Sequence, residues 1–160
     1  MSVAAAAVFS TIPFFNAESE EPTLCPDILY LIEQSGSQFS AIRGDRASDS
    51  GDYHTTFVLP DASSCVILGD AEKSSYQCTW KYPQGDERAH GTFKGLVREM
   101  RNCVGNIAEE RKDQPVNHPD FYAAYTFQLP GSEASVSLKN KSKLMRTLVS
   151  IRIDGFTATK

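Results

Sequence analysis

Four cysteines, Cys25, Cys65, Cys78 and Cys103, are the side chains of this 160-residue chain whose spacing carries chemistry. No C-x-x-C pair and no paired-histidine spacing supports a zinc site, and no metal or cofactor is implied. The chemistry they offer is cross-linking. Cys65 and Cys78 flank a turn-rich break, Gly69-Asp70-Ala71-Glu72-Lys73-Ser74, with alternating apolar and polar residues on both sides. A four-residue loop over Asp70–Lys73 sets Gly69 against Ser74, Ile67 against Tyr76 and Cys65 against Cys78. Directly opposed strand residues bring their Cβ atoms to about 4.5–5.5 Å, close to disulfide range. That leaves Cys25 and Cys103 to tie two helices together. A rival pairing joins Cys103 to a cysteine of the hairpin.

The other reactive residue types do not assemble by spacing. His54, His90 and His118 stand apart, and none has a carboxylate or nucleophile at a catalytic interval. The nearest approach to an acid–base cluster is Asp86, Glu87, Arg88 and His90, which reads as a solvated loop. No G-x-S-x-G, nucleotide-binding glycine loop or H-E-x-x-H occurs. The residues therefore point away from an enzyme and name no catalytic residue. Arg43-Gly44-Asp45 is a three-letter adhesion motif of little specificity. Asp45, Asp49 and Asp52 do not follow the calcium-loop spacing.

The elements that must position the cysteines follow from periodicity. Thr23-Leu24-Cys25-Pro26-Asp27 opens a helix, with proline in its first turn and Asp27 at its positive end. Ile28, Leu31, Ile32, Ser35 and Phe39 form its stripe, and Gly36 weakens it. Residues 43–52 read as a polar loop, and Tyr53–Leu59 as a strand. The cysteine hairpin puts Cys65, Ile67, Tyr76, Cys78, Trp80 and Tyr82 on one face, against polar Ser75, Gln77, Thr79 and Lys81 on the other. Residues 83–91 read as a second polar loop. Thr92 then caps a helix whose stripe runs Phe93, Leu96, Val97, Met100, Cys103, Val104, Ile107. Glu109–Asn117 reads as a linker. Strands follow at Phe121–Leu129, Glu133–Leu138 and Leu144–Ile153.

The second half repeats the first. Phe57-Val58-Leu59-Pro60 matches Phe127-Gln128-Leu129-Pro130, and Val66 and Leu68 fall on Val136 and Leu138. With one inserted residue, Tyr76, Cys78, Trp80 and Tyr82 fall on Thr147, Val149, Ile151 and Ile153. The expected fold is α+β, a duplicated helix-plus-three-strand unit (about residues 24–82 and 91–154). Its antiparallel sheet has about six strands, with two helices on one face.

Bulk properties agree with one folded domain over residues 18–160. A net charge of −4 argues against nucleic acid and against an anionic membrane as partners. The basic clusters Lys139–Lys143 and Arg98–Arg101 read as a solvated strand end and a solvated helix face. Residues 1–17 carry no charged side chain and resemble the apolar part of a secretory signal that ends after Ala17, without a basic start. The run is too short and interrupted to span a membrane. With four cysteines, this reads as a periplasmic or secreted disulfide-bonded protein of bacterial type. The expected role is non-enzymatic binding of another protein, in the manner of inhibitor and immunity proteins, through loops or an exposed sheet face. Asp45, Asp49, Asp52, Asp86, Glu87 and Arg88 are the candidate contacts. The alternatives are a carrier of a small ligand or lipid with a pocket near Phe39, Trp80 and Met100, and a hydrolase whose site no motif reveals.

Overall fold

Two long strands form the spine, β4 (Ser74–Pro83) and β8 (Arg146–Gly155). They pair antiparallel from Ser75 opposite Asp154 to Pro83 opposite Arg146. The computed structural model describes residues 23–47, 51–70, 72–112 and 122–155. Around the spine lie β1 (Arg43–Arg46), β2 (Tyr53–Thr55), β3 (Ser64–Gly69), β5 (Glu109–Lys112), β6 (Tyr122–Leu129) and β7 (Ser132–Lys141). Together they make one eight-stranded sheet in the order β1-β2-β3-β4-β8-β7-β6-β5, antiparallel at every pairing. The helices α1 (Cys25–Ser35) and α2 (Glu87–Val104) pack on one face of it and touch each other. The fold is α+β.

Alternation decides which face the helices cover. Tyr76, Cys78, Ile67, Val136, Leu138, Val149, Ile151 and Ile153 are fully buried beneath Ile28 and Leu31 of α1 and Leu96, Val97 and Met100 of α2. Each occupies the same parity in its strand, as a period of two requires. The hydroxyl of Tyr76 donates to the Phe57 carbonyl (3.0 Å) and lies 2.9 Å from the Cys78 sulfur. This gives the one polar atom of that large buried ring a partner.

The sheet has eight strands rather than about six. Arg43–Arg46 and Glu109–Lys112, expected as loop and linker, are its two edge strands, β1 and β5. All four side chains of β5 are exposed. Edge strands are held by backbone hydrogen bonds to one neighbour, and charged side chains guard them against further pairing, so they carry no apolar alternation. Conversely, the strand expected over Tyr53–Leu59 stops at Thr55. Beyond it the chain leaves the ladder so that Phe57 can lie against Tyr30 of α1 (ring centroids 5.1 Å apart) and Leu59 can enter the core.

The second helix begins five residues before Thr92. Asp86 is its N-cap, and its carboxylate accepts from the Arg88 amide (2.9 Å). Ala89 is fully buried one turn later, so the polar sequence 86–91 is a helix start and not a loop. Thr92 lies inside the helix, with its hydroxyl 2.6 Å from that of Tyr82. The expected match of Val66 and Leu68 with Val136 and Leu138 also fails. The ladder register puts the first two on the helix-free face and the last two in the core.

Candidate functional site

Disulfides join Cys65 to Cys78 and Cys25 to Cys103, with Cα atoms 4.1 and 5.2 Å apart. The first lies across β3 and β4 at the register the loop implies. The second links the start of α1 to the last turn of α2. The first bond lies within the sheet and the second ties the two helices to each other, while the opposite face of the sheet carries no helix among the described residues.

That helix-free face can be read row by row from the register, and Ser75, Thr79, Ala124 and Thr126 on it are buried. One row crosses the middle with small side chains: Ser64, Thr79, Ser150, Ser137 and Ala124. Thr79 and Ser150 are hydroxyl-bonded at 3.1 Å. Toward the Ser74 end of β4 the charges are matched. Arg152 donates to Asp154 (2.8 Å), which also accepts from the Ser75 hydroxyl, and Arg111 lies 4.0 Å from Glu133. Toward the Pro83 end they are not. Lys81 and Lys139 flank Leu148, and Lys141 stands directly opposite Arg146. None of these four cations has an ion-pair partner among the described residues. Burial holds the Lys139 ammonium below the ordinary lysine pKa, and the nearby charges of Lys141 and Arg152 act the same way. Its Nζ sits 5.3 Å from the centre of the Tyr122 ring. The turn that joins β7 to β8 closes this corner with Lys143 and the exposed Leu144 and Met145.

The acidic candidates expected as contacts do not form one surface. Asp45 is exposed on edge strand β1, Asp52 is half-buried just before β2, and Asp49 lies outside the described residues. Asp86 and Arg88 form a pair with each other (2.7 Å) at the start of α2, beside exposed Glu87. The Arg88 guanidinium and the Arg88 amide hold the Asp86 carboxyl below its usual pKa. Three strands separate β1 from β8 in the sheet order. The Arg43 side chain of the adhesion-like tripeptide is held internally, donating to the Gln38 carbonyl (2.8 Å) and the Ser74 hydroxyl (2.6 Å).

Among the described residues, two of the depressions flank the helices. One, of about 440 Å³, lies between the start of α1, α2 and β4, with Trp80, Tyr82, Leu96, Asp27, Asp61 and Glu99 in its lining. Glu99 accepts from the Thr23 hydroxyl (2.7 Å) and the Leu24 amide (3.2 Å), and the Trp80 indole donates to the Pro60 carbonyl (3.2 Å). Phe39 and Met100, expected beside Trp80 in a pocket, are fully buried and fill the core instead. The second depression, about 320 Å³, contains His90, Phe93, Lys94, Arg101, Lys112 and Tyr125. Neither serine nor carboxylate is among its described lining residues, and His118 lies outside the described residues, as do residues 1–17. No group of three metal-ligating side chains occurs among the described residues. No described helix is long and apolar enough to cross a membrane.

Comparison of the chain with protein families, with curated proteins and with solved structures finds no match.

From sequence the basic corner shows only as the cluster Lys139–Lys143, read as a solvated strand end, without Lys81 and Arg146. Its residues come from three strands and a turn. The available signal was that Lys139 and Lys141 share a strand parity, which puts both on one face.

Proposed function

We propose that this is an exported, non-enzymatic protein that binds another protein through the helix-free face of its sheet, in the manner of an inhibitor or immunity protein. The observation that carries the reading is that face. It spans the ladder from β3 to β5, has small hydroxyl side chains across its centre, and lies opposite a helical layer pinned by a disulfide. A surface held rigid before contact loses little conformational entropy when a partner binds. Two disulfides support an oxidising compartment, and therefore export after removal of residues 1–17. The contact surface moves from the acidic loops to the sheet.

A duplication belongs to the same reading. A helix, a short 3-10 turn and four strands follow one another in each half, the second half having a further 3-10 turn before its last strand. In the alignment of β4 with β8, Thr79 corresponds to Ser150, and those two residues are also paired in the ladder, where a two-fold axis relating the halves would pass. The repeated unit then has four strands after its helix, not three.

A photo-cross-linking residue at half-buried Ser137, on the helix-free face, tests the assignment against one at exposed Asn102 on α2. Protein adducts in the source organism are expected from Ser137 and not from Asn102. Adducts from Asn102 alone would overturn it. The groove beside Trp80 favours a second reading, a small-ligand carrier. Native mass spectrometry of the freshly isolated chain, showing a bound small molecule lost on Leu96→Trp, would establish that reading instead.

A further inference from the structure

Charge is segregated in this molecule. From β3 to β5 the helix-free face presents Lys81, Arg111, Lys139, Lys141, Arg146 and Arg152 against Glu109, Glu133 and Asp154. It is a cationic face on a chain of net charge −4. The excess is confined to one corner, because Arg152 and Arg111 are matched by Asp154 and Glu133. There Lys141 and Arg146 are cross-strand neighbours, an arrangement that destabilises a sheet. Lys139 is half-buried beside them with its ammonium disfavoured. The sheet gains nothing from four like charges gathered in this way, whereas an opposing set of carboxylates would relieve both the repulsion and the desolvation.

We infer that the corner formed by Lys81, Lys139, Lys141 and Arg146, with Leu144 and Met145 at its lip, docks an acidic surface of a protein partner. The inference rests on the protein-binding reading given above and names the chemistry of the partner. A compact acidic patch meets these cations alone. A membrane or a nucleic-acid duplex extends past the corner, where the face offers it no further unmatched cations and the chain as a whole carries a net charge of −4. Leu144 and Met145 are 63% and 70% exposed, and they supply the apolar contact that charge pairs alone lack.

The test uses the disulfide-intact chain and three probes: poly-L-glutamate, phosphatidylglycerol vesicles and duplex DNA. Amide signals of residues 81, 139, 141 and 144–146 are expected to shift with poly-L-glutamate. Affinity is expected to fall roughly tenfold in Lys139→Gln/Lys141→Gln/Arg146→Gln. The control Lys94→Gln/Arg98→Gln/Lys112→Gln removes as much charge from the helical side and edge and is expected to leave binding unchanged. An equal loss in the control, or stronger binding to vesicles or DNA than to poly-L-glutamate, overturns the acidic-protein partner. Cross-linking from Ser137 in the source organism separates the two levels. Adducts that vanish in the first triple variant support the inference. Adducts that persist in it refute the acidic partner while the protein-binding reading stands. No adduct in either chain refutes both.

Discussion

The two disulfides close loops of very different length, 78 and 13 residues apart in sequence, and this difference sets an order that can be measured. A cross-link removes conformational freedom from the unfolded chain in proportion to the logarithm of the loop it closes. For 78 residues the chain-entropy relation gives about 4.5 kcal/mol at 25 °C, and for 13 residues about 2.9 kcal/mol. Set against a total stability of about 5–15 kcal/mol for a domain, the first is a large share. Substituting cysteines would add the loss of packing at Cys78, which is fully buried. The cleaner measurement keeps the side chains constant. In Cys65→Ala/Cys78→Ala, the unfolding free energy of the oxidised chain minus that of the reduced chain isolates the helix-to-helix bond. In Cys25→Ala/Cys103→Ala it isolates the hairpin bond. Urea titration followed by tryptophan fluorescence reads both, since Trp80 is nearly fully buried in the native sheet. The first difference is expected near 4.5 kcal/mol and the second near 2.9 kcal/mol or below, because a hairpin that persists in the unfolded ensemble has already closed its loop. The urea slope of each chain is expected to rise on reduction, as the released chain exposes more surface. An equal or larger contribution from the hairpin bond would refute the account, and its stabilising role would then have to be sought in the native sheet.

Three further outcomes follow from particular atoms. Burial pushes the Tyr76 phenol well above its ordinary pKa, so the folded state keeps this proton after the unfolded chain has released it. Stability is therefore unaffected below about pH 10 and falls above it by up to about 1.4 kcal/mol per pH unit. Tyr76→Phe should flatten that alkaline slope in denaturation experiments, and an unchanged slope would exclude Tyr76 as its origin. Gly69 has φ +91°, and a Cβ there would lie 2.2 Å from the Lys73 carbonyl oxygen, whereas Gly85, at φ +80°, has nothing within 4 Å. Gly69→Ala should cost roughly 1–3 kcal/mol and Gly85→Ala distinctly less, and equal costs would mean that backbone conformation alone decides. Lys139→Met should raise the urea midpoint, because it removes an ammonium disfavoured first by burial and then by Lys141 and Arg152. A lower midpoint would show that Lys139 contributes to the fold itself.

The residues of the chain determined locally whatever depends on neighbours in sequence. The four-residue loop fixed the hairpin register, and with it the meeting of Cys65 and Cys78, because a turn of given length allows one pairing. The apolar stripe from Phe93 to Val104 specified α2 because a helix buries whatever repeats at its own period. Only the tertiary structure decided the rest. Edge strands β1 and β5 are charged segments with no alternation, and they become strands because a neighbouring ladder offers hydrogen bonds. The two halves could be laid side by side in several registers. The β4–β8 ladder selected one, from Ser75 opposite Asp154 to Pro83 opposite Arg146. The basic corner draws on positions 81, 139, 141 and 146, which are far apart along the backbone and adjacent across it. Sequence periodicity reports which way a side chain faces within its own element, but which charges stand beside one another depends on strand order, a property of contacts between distant segments.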